Sequence, residues 1–466
     1  MEGVLAVRMQ VMDLKLYYLE FFTRTYPVWV LSDYCYVMPP KGSQSLLPDI
    51  LSNLPDNVID VILMCLPCQD AVRTSILSKK WRYHWCRLTE LSLDGSLWKT
   101  KKDLLNPTVK FTKIIYQLLT LHEGPITKFT LNISSLEKCC PKIDNFIYFL
   151  SRNDIQHLVL HLPRNNLNKL PSSLFTCSQL RHLNLRNCFM YRPPAFQGFE
   201  RLISLELCGV TISSKLLESL ISHCPLLEQL VLNNSPLKID TIEIDAPMLR
   251  LFDFTGNISS ICLKNVPLLV KVSLAGYDMY PEYLDFAKVF ESCSALEHLF
   301  LNFSNAELSV EEEYEGPRRL PFDLNNVKRF YLPDISLLES SYELSYALCL
   351  IRSFPYLEYL DIKVYSEAED DDCILECLEL EHFSDVTFNH LREVKLECFT
   401  GRTPETQLIK LLLAKSPVLV RMLIGTRYLD DKPLDTRLKI FAEVSTFSRA
   451  SPEAEVVYQK FKYDRD

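Results

Sequence analysis

Few residues in this chain have the types and spacing that chemistry needs. Cys65-x-x-Cys68 has the separation of a redox dithiol or of half a zinc site, but no second pair stands at ligand distance. Its thiols lie across an expected helix end, and buried free thiols are the better reading. His157, His182 and His298 share one position of a repeat described below, and that repeat explains the coincidence. No carboxylate or cysteine recurs beside them with ligand spacing, so they read as surface histidines. No Gly-x-Ser-x-Gly elbow, His-Glu-x-x-His pair, phosphate loop or dinucleotide fingerprint occurs. The chain is expected to hold no catalytic residue, no metal and no cofactor. What remains is the chemistry of association, in which apolar and aromatic side chains are set out for a partner.

The densest such set is residues 50–86, ILSNLPDNVIDVILMCLPCQDAVRTSILSKKWRYHWC. Asp56 opens a helix on which Val58, Ile59, Ile62, Leu63 and Leu66 recur at helical spacing, and Pro67 stops it. Asp70 is placed to cap a second helix carrying Val72, Arg73 and Ile76, and Ser78 a third carrying Trp81 and Trp85. So small a unit cannot bury this much apolar surface against itself, so a stripe is left for another protein.

These residues resemble the F-box. The family pattern appears as Leu54-Pro55, an apolar helix from Ile59 to Leu66, Pro67, Asp70-Ala71-Val72, Ser75-Ile76-Leu77-Ser78 and Lys80-Trp81-Arg82 with Trp85. The resemblance implies docking onto a Skp-type adaptor. It assigns adaptor contacts to Leu54, Pro55, Ile59, Ile62, Leu66, Val72, Ile76, Leu77, Trp81 and Trp85, some of them also serving the helices' own core. Lys79, Lys80, Arg82 and Arg87 are expected to face solvent or the adaptor's acidic surface.

Beyond this segment one pattern keeps returning: apolar, two variable residues, apolar, one variable, apolar. It runs from Leu88/Leu91/Leu93, Ile126/Phe129/Leu131, Ile155/Leu158/Leu160 and Leu180/Leu183/Leu185 through Leu202, Leu227, Leu249, Leu269, Leu296, Val327, Leu357 and Leu391 to Leu419/Met422/Ile424. Alternate apolar residues mark a short strand with one buried face, and the recurrence implies stacked strand-plus-helix units. Neighbouring units must cover one another's apolar faces, which gives a solenoid. Pro225, Pro247, Pro267, Pro355 and Pro417 precede the motif and are expected to end helical segments. This is the leucine-rich-repeat signature in an irregular form. The last part, Leu391 to Phe399 with Gly401, Glu405, Leu408 to Leu413 and Pro417 to Ile424, resembles the FBD domain: strand, turn at Gly401, amphipathic helix, closing strand. It reads as a cap for the solenoid's open end.

Composition agrees with a folded interaction protein. The chain has 466 residues, 48% hydrophobic and 23% charged, with a net charge of −9, which argues against nucleic acid as the main partner. Sixteen scattered cysteines show no disulfide framework and suit a reducing compartment, nucleus or cytoplasm. The sequons at Asn132 and Asn302 would matter only in a secreted chain. No apolar run in the first 37 residues is long enough to span a membrane, and MPPKGSQ from Met38 reads as the native start. The acidic runs Glu311 to Glu315 and Glu367 to Asp372 and the basic group Lys99, Lys101 and Lys102 read as solvated connections.

Within each repeat the residues flanking the second apolar position should line the concave face. Lys271, Phe300, Arg329, Tyr331 and Tyr359 gather there as a candidate substrate patch. The whole is expected as an α/β chain: extension 1–47, F-box 48–95, irregular repeats 96–380, FBD-like region 381–455 and tail 456–466. By resemblance to plant F-box/FBD/LRR-repeat proteins, it would be a non-catalytic substrate receptor of an SCF-type ubiquitin ligase. It would reach a cullin and a RING protein through the adaptor. Two alternatives stand beside that reading. One is a receptor whose concave face takes a small anionic ligand on Lys271, Arg329 and Lys363; the other is an F-box scaffold that does not support ubiquitin transfer.

Overall fold

The structure is a computed structural model that describes residues 53–94, 107–134, 143–164, 168–191, 196, 198–233, 241–277, 285–305, 319–337, 342–365, 378–429 and 432–460. The extension with Met38, both acidic runs and the Lys99 to Lys102 group lie outside the described residues. The chain divides into two compact units, Met1–Asn166 and Leu167–Asp466. The first boundary therefore falls well after the F-box-like segment, which packs together with the first repeats.

In the first unit, α1 (Asp56–Met64) and α2 (Cys68–Arg73) lead into a 3-10 turn at Thr74–Ile76 and a longer one at Trp81–Arg87. Pro55 precedes α1 and Pro67 precedes α2, each with the extended backbone that a helix start requires. Asp70 therefore does not cap. It is the third residue of α2 and pairs with Arg73 at 3.0 Å. The Ser78 hydroxyl accepts the Trp81 N–H at 3.4 Å, but the residue in the cap position of the Trp81–Arg87 turn is Lys80. Three strands follow, β1 (Glu90–Leu93), β2 (Lys128–Asn132) and β3 (His157–His161), paired in parallel, with α3 (Pro107–Leu121) and α4 (Asp144–Ser151) in the connections. Leu91, Phe129 and Leu158 align in register and are buried, which is the motif's second apolar position acting as foreseen.

The second unit continues the same arithmetic. Parallel strands β5 (His182–Arg186), β7 (Ser204–Cys208), β8 (Gln229–Asn233), β10 (Leu251–Gly256), β12 (Lys271–Tyr277), β13 (His298–Asn305), β14 (Arg329–Ser336), β15 (Tyr359–Tyr365), β16 (Glu393–Glu397), β17 (Arg421–Gly425) and β18 (Glu455–Gln459) pair in that order. Two-residue strands β4 (Asn168–Lys169) and β6 (Cys188–Phe189) form a minor pair. So do β9 (Ile242–Asp245) and β11 (Ile261–Asn265). The remaining connections hold α5 (Ser214–Ser222), α6 (Phe286–Phe290), α7 (Tyr342–Arg352), α8 (Thr403–Lys415) and α9 (Leu434–Ser445). Three are locally capped: the Ser213 hydroxyl accepts from Leu216, the Asp285 carboxylate from Ala287 and Lys288, and the Glu405 carboxylate from the Arg402 N–H.

Pro225, Pro355 and Pro417 follow helices as expected, and all five recurring prolines share a further job. In Cys224-Pro225-Leu226-Leu227 the last N–H donates to the first carbonyl at 3.1 Å, and the same bond closes at Leu249, Leu269, Leu357 and Leu419. Each proline thus takes the second place of a tight turn that launches the next strand, where its fixed φ is favourable. Before Pro247 and Pro267 the preceding element is a strand, β9 or β11, so the unit is not uniformly strand plus helix.

The FBD-like region is a continuation of this sheet. Leu408, Ile409, Leu411 and Leu412 of α8 are all buried. Gly401 sits at φ 78°, and a Cβ there would come within 2.4 Å of Ile440, so both backbone and space require glycine. Glu405 is buried and accepts from the backbone N–H groups of Thr400 and Gly401 at 2.7 Å and from the Thr400 hydroxyl. Burial pushes its carboxyl up, and those donors oppose the shift. The strand ending at Ile424 does not close the region. β18 lies beyond it and crosses the boundary placed between 455 and 456.

Candidate functional site

Two surfaces come from the residues singled out, one in each unit. In the F-box-like segment the ten residues split. Ile59, Trp81 and Trp85 are buried, Trp81 at 2% exposure, and they fill the segment's own core with Leu63, Ala71 and Cys86. Their burial gives these three the core role that the sequence reading left open for some of the ten. Leu54, Ile62, Leu66, Val72 and Leu77 are half-buried, and Pro55 is exposed. Ile76 is 62% exposed.

Three large apolar residues join them that the sequence pattern had not put forward: Val61 and Met64 on α1, and Tyr83 in the last turn. Their signal was present, since α1 reads DNVIDVILM, with more apolar residues than its one buried face, Ile59 and Leu63, can use. A polar strap closes the segment. Lys80 Nζ donates to the Leu54 carbonyl at 2.5 Å and pairs with Asp56 at 3.2 Å, while His84 Nδ1 lies 3.3 Å from Asp60. The Lys80 ammonium holds the Asp56 carboxyl below its usual range. Lys80 is thus an internal clasp, whereas Lys79, Arg82 and Arg87 are exposed.

The second surface is the face of the second unit's sheet that points away from the core. Strand burial alternates, so first and third residues are outward and second and fourth inward, as in β10. In strict register the outward first positions run Leu251, Lys271, His298, Arg329, Tyr359, Glu393 and Arg421. The third positions run Asp253, Ser273, Phe300, Tyr331, Asp361 and Lys395. Lys271, Phe300, Arg329, Tyr331 and Tyr359 therefore do come together.

The Tyr331 and Tyr359 rings lie 5.6 Å apart, and the Arg329 guanidinium sits over the Tyr359 ring at 5.6 Å. Beyond them the face turns acidic and self-paired: the Tyr359 hydroxyl and Lys395 Nζ each donate to Asp361 at 3.2 Å, and Lys395 also pairs with Glu397. Burial raises the Asp361 carboxyl, which the Lys395 charge opposes. Lys363 does not join Lys271 and Arg329. It is the fifth residue of β15, four places along from Tyr359, or roughly 13 Å at ~3.3 Å per residue.

Among the described residues no three His, Cys, Asp or Glu side chains gather as a metal site, and every described cysteine is a free thiol. Burial pushes the Cys68 thiol up to about 11, away from the reactive thiolate. No described helix is long and apolar enough to cross a membrane.

Comparison with known proteins bears on both surfaces. The F-box domain family matches residues 51–92, and the family described as "FBD-associated F-box protein At5g56370, LRR repeats" matches residues 143–284. The Arabidopsis thaliana F-box/FBD/LRR-repeat protein At1g13570 is 33% identical over 427 residues, covering 88% of this chain and 98% of its own length. A putative F-box/FBD/LRR-repeat protein of the same plant, At5g44950, is 24% identical across 86% of this chain and 98% of its own. Among solved structures, a leucine-rich-repeat protein of Leptospira interrogans is similar over 78% of this chain and 94% of its own at 14% identity, with a TM-score of 0.27. An internalin of Listeria monocytogenes covers 88% and 95% at 11% identity, with a TM-score of 0.29. Values this low fix no shared geometry.

Proposed function

The chain belongs to the plant F-box/FBD/LRR-repeat proteins, and from that premise we propose that it is the substrate-receptor subunit of an SCF-type ubiquitin ligase. F-box domains dock Skp-type adaptors as a family. The observation that carries the reading here is the split within the segment. Its tryptophans and Ile59 close a small core, and Ile76, Met64, Val61 and Tyr83 are left standing in solvent on the elements that this core fixes. An apolar set this exposed on so rigid a support is a docking surface in need of a partner. Through the adaptor the chain reaches a cullin and a RING protein, and the outward strand face of the second unit holds the target.

Catalysis in this scheme is positioning. The chain supplies no reacting group. It raises the effective concentration of the target's lysines near a thioester carried by another subunit. Free, largely buried thiols suit the nucleus or cytoplasm, where that machinery works.

The test is affinity purification with the proteasome inhibited, comparing the full chain with its Ile76→Asp variant. Deleting the segment outright would disturb the first unit. Targets should copurify with both chains and carry ubiquitin only with the unaltered one. Equal ubiquitin on targets of both chains would overturn the receptor role assigned to this surface.

A further inference from the structure

The outward face of the second unit carries a cationic row that is only partly compensated within the protein, by Asp253 beside Lys271 and by the Tyr331 hydroxyl beside Arg329. Lys271, His298 and Arg329 are paired in register on three adjacent strands, so neighbouring backbones are about 4.8 Å apart and long side chains from the flanks can converge over the middle one. Lys271 and Arg329 are both exposed, and neither closes an ion pair within 4.0 Å among the described residues, although Lys271 acts on the Asp253 carboxyl across the adjoining strand. That sets them apart from Lys395 on the same face, which is paired with Asp361 and Glu397. It also sets them apart from Lys128, Arg250 and Lys328, which are paired with Glu90, Glu228 and Glu297. Beside the row Phe300, Tyr331 and Tyr359 present half-buried rings.

We propose that Lys271, His298 and Arg329 form a binding site for a phosphoryl dianion, carried on a phosphorylated side chain of the bound target, whose organic part lies against Phe300, Tyr331 and Tyr359. The proposal rests on the receptor reading for its choice of partner. Two fixed positive charges match a dianion, whereas a single carboxylate would leave one of them uncompensated. The rings give a reason for an organic carrier, since free phosphate has nothing to place against them. Arg329, held over Tyr359, is already oriented and loses little freedom on binding.

His298 gives the site a signature. Burial and then the charges of Arg329, Lys271 and Lys328 hold its imidazole below the usual range, opposed by Glu297. A dianion arriving among those cations favours the protonated ring. Binding should therefore take up protons and tighten as pH falls, until the phosphoryl group itself protonates near its second pKa of about 6.

The experiment is calorimetric titration of the full chain at neutral pH with four probes: capped phosphotyrosine, capped phosphoserine, inorganic phosphate and capped glutamate. Each runs in two buffers of different ionisation enthalpy. The phosphorylated residues should bind, K271Q and R329Q should each weaken them at least fivefold with thermal midpoints unchanged, and H298Q should abolish proton uptake. Inorganic phosphate binding as tightly as the capped residues would overturn the organic carrier. Capped glutamate binding equally would overturn the dianion. Unchanged binding in K271Q and R329Q would overturn the site. Adaptor capture by the wild-type chain is measured alongside; its absence would sink the receptor reading and leave the anion result standing.

Discussion

The F-box-like segment and the outward face of the repeat sheet solve opposite problems with similar means. In the segment the residues that define the pattern serve two masters: Trp81 and Trp85 turn inward, while Ile76 and Met64 turn outward. In the repeats the division is clean. In β3, β5, β8, β10 and β16 positions two and four are core, and positions one and three face outward. A docking module tied to its own folding can present one surface only. A ladder whose outward rows do no structural work can present a different surface on every few strands. Here that freedom has produced a cation–aromatic zone on β12 to β15, beside an acidic, self-paired zone around Asp361 and Glu397.

The comparison breaks most visibly at Trp81. Trp81→Ala removes a ring enclosed to 2% exposure and should cost about 3–5 kcal/mol. Hydrogen exchange should show the segment open and adaptor capture lost together. If capture survives, the core does not hold the docking surface. Glu405→Ala is the repeat-side counterpart. It strands the N–H groups of Thr400 and Gly401 in a buried turn and should cost about 2–4 kcal/mol, read as a lower thermal midpoint with adaptor capture intact.

Ile76→Asp lies at the other pole. It should cut adaptor capture at least tenfold while changing the unfolding free energy by under about 0.5 kcal/mol, since a mostly exposed side chain supports little packing. The smallest effect is on pH. Asp56 has a folded pKa below its ordinary value of 3.8, so the ionised form is favoured by the fold. Its contribution is fully present at neutral pH and is lost as pH falls through the folded value. Lys80→Met should remove that acid dependence of the segment's unfolding.

What the sequence made legible follows from the same division. The second and third apolar residues of all thirteen triplets fall on strands, because that pair is fixed by burial at period two, while the first lies ahead of the strand, in most copies within the turn that launches it. β18 escaped, since its launching turn buries the small Ala454 only two residues before Val456, where the other copies keep a larger residue three before. β9 and β11 escaped because Ile242-x-Ile244 and Ile261-x-Leu263 are too short to outweigh a helical expectation. The candidate patch was legible as a row but not as a site. Spacing brought Lys271 and Arg329 onto one face, while only the register shows that Lys363 lies four residues away along its strand. In the segment, spacing identified the pattern but could not say which side of each residue was already occupied.

The central claim is that docking and recognition are carried by separate surfaces, and paired variants test it most directly. Binding of a Skp-type adaptor and of capped phosphotyrosine is measured for the full chain, for Ile76→Asp and for Arg329→Gln. The account predicts a double dissociation: Ile76→Asp loses the adaptor and keeps the phosphoryl probe, and Arg329→Gln does the reverse. Adaptor binding by Ile76→Asp at wild-type strength, or loss of both partners in either variant, would contradict it.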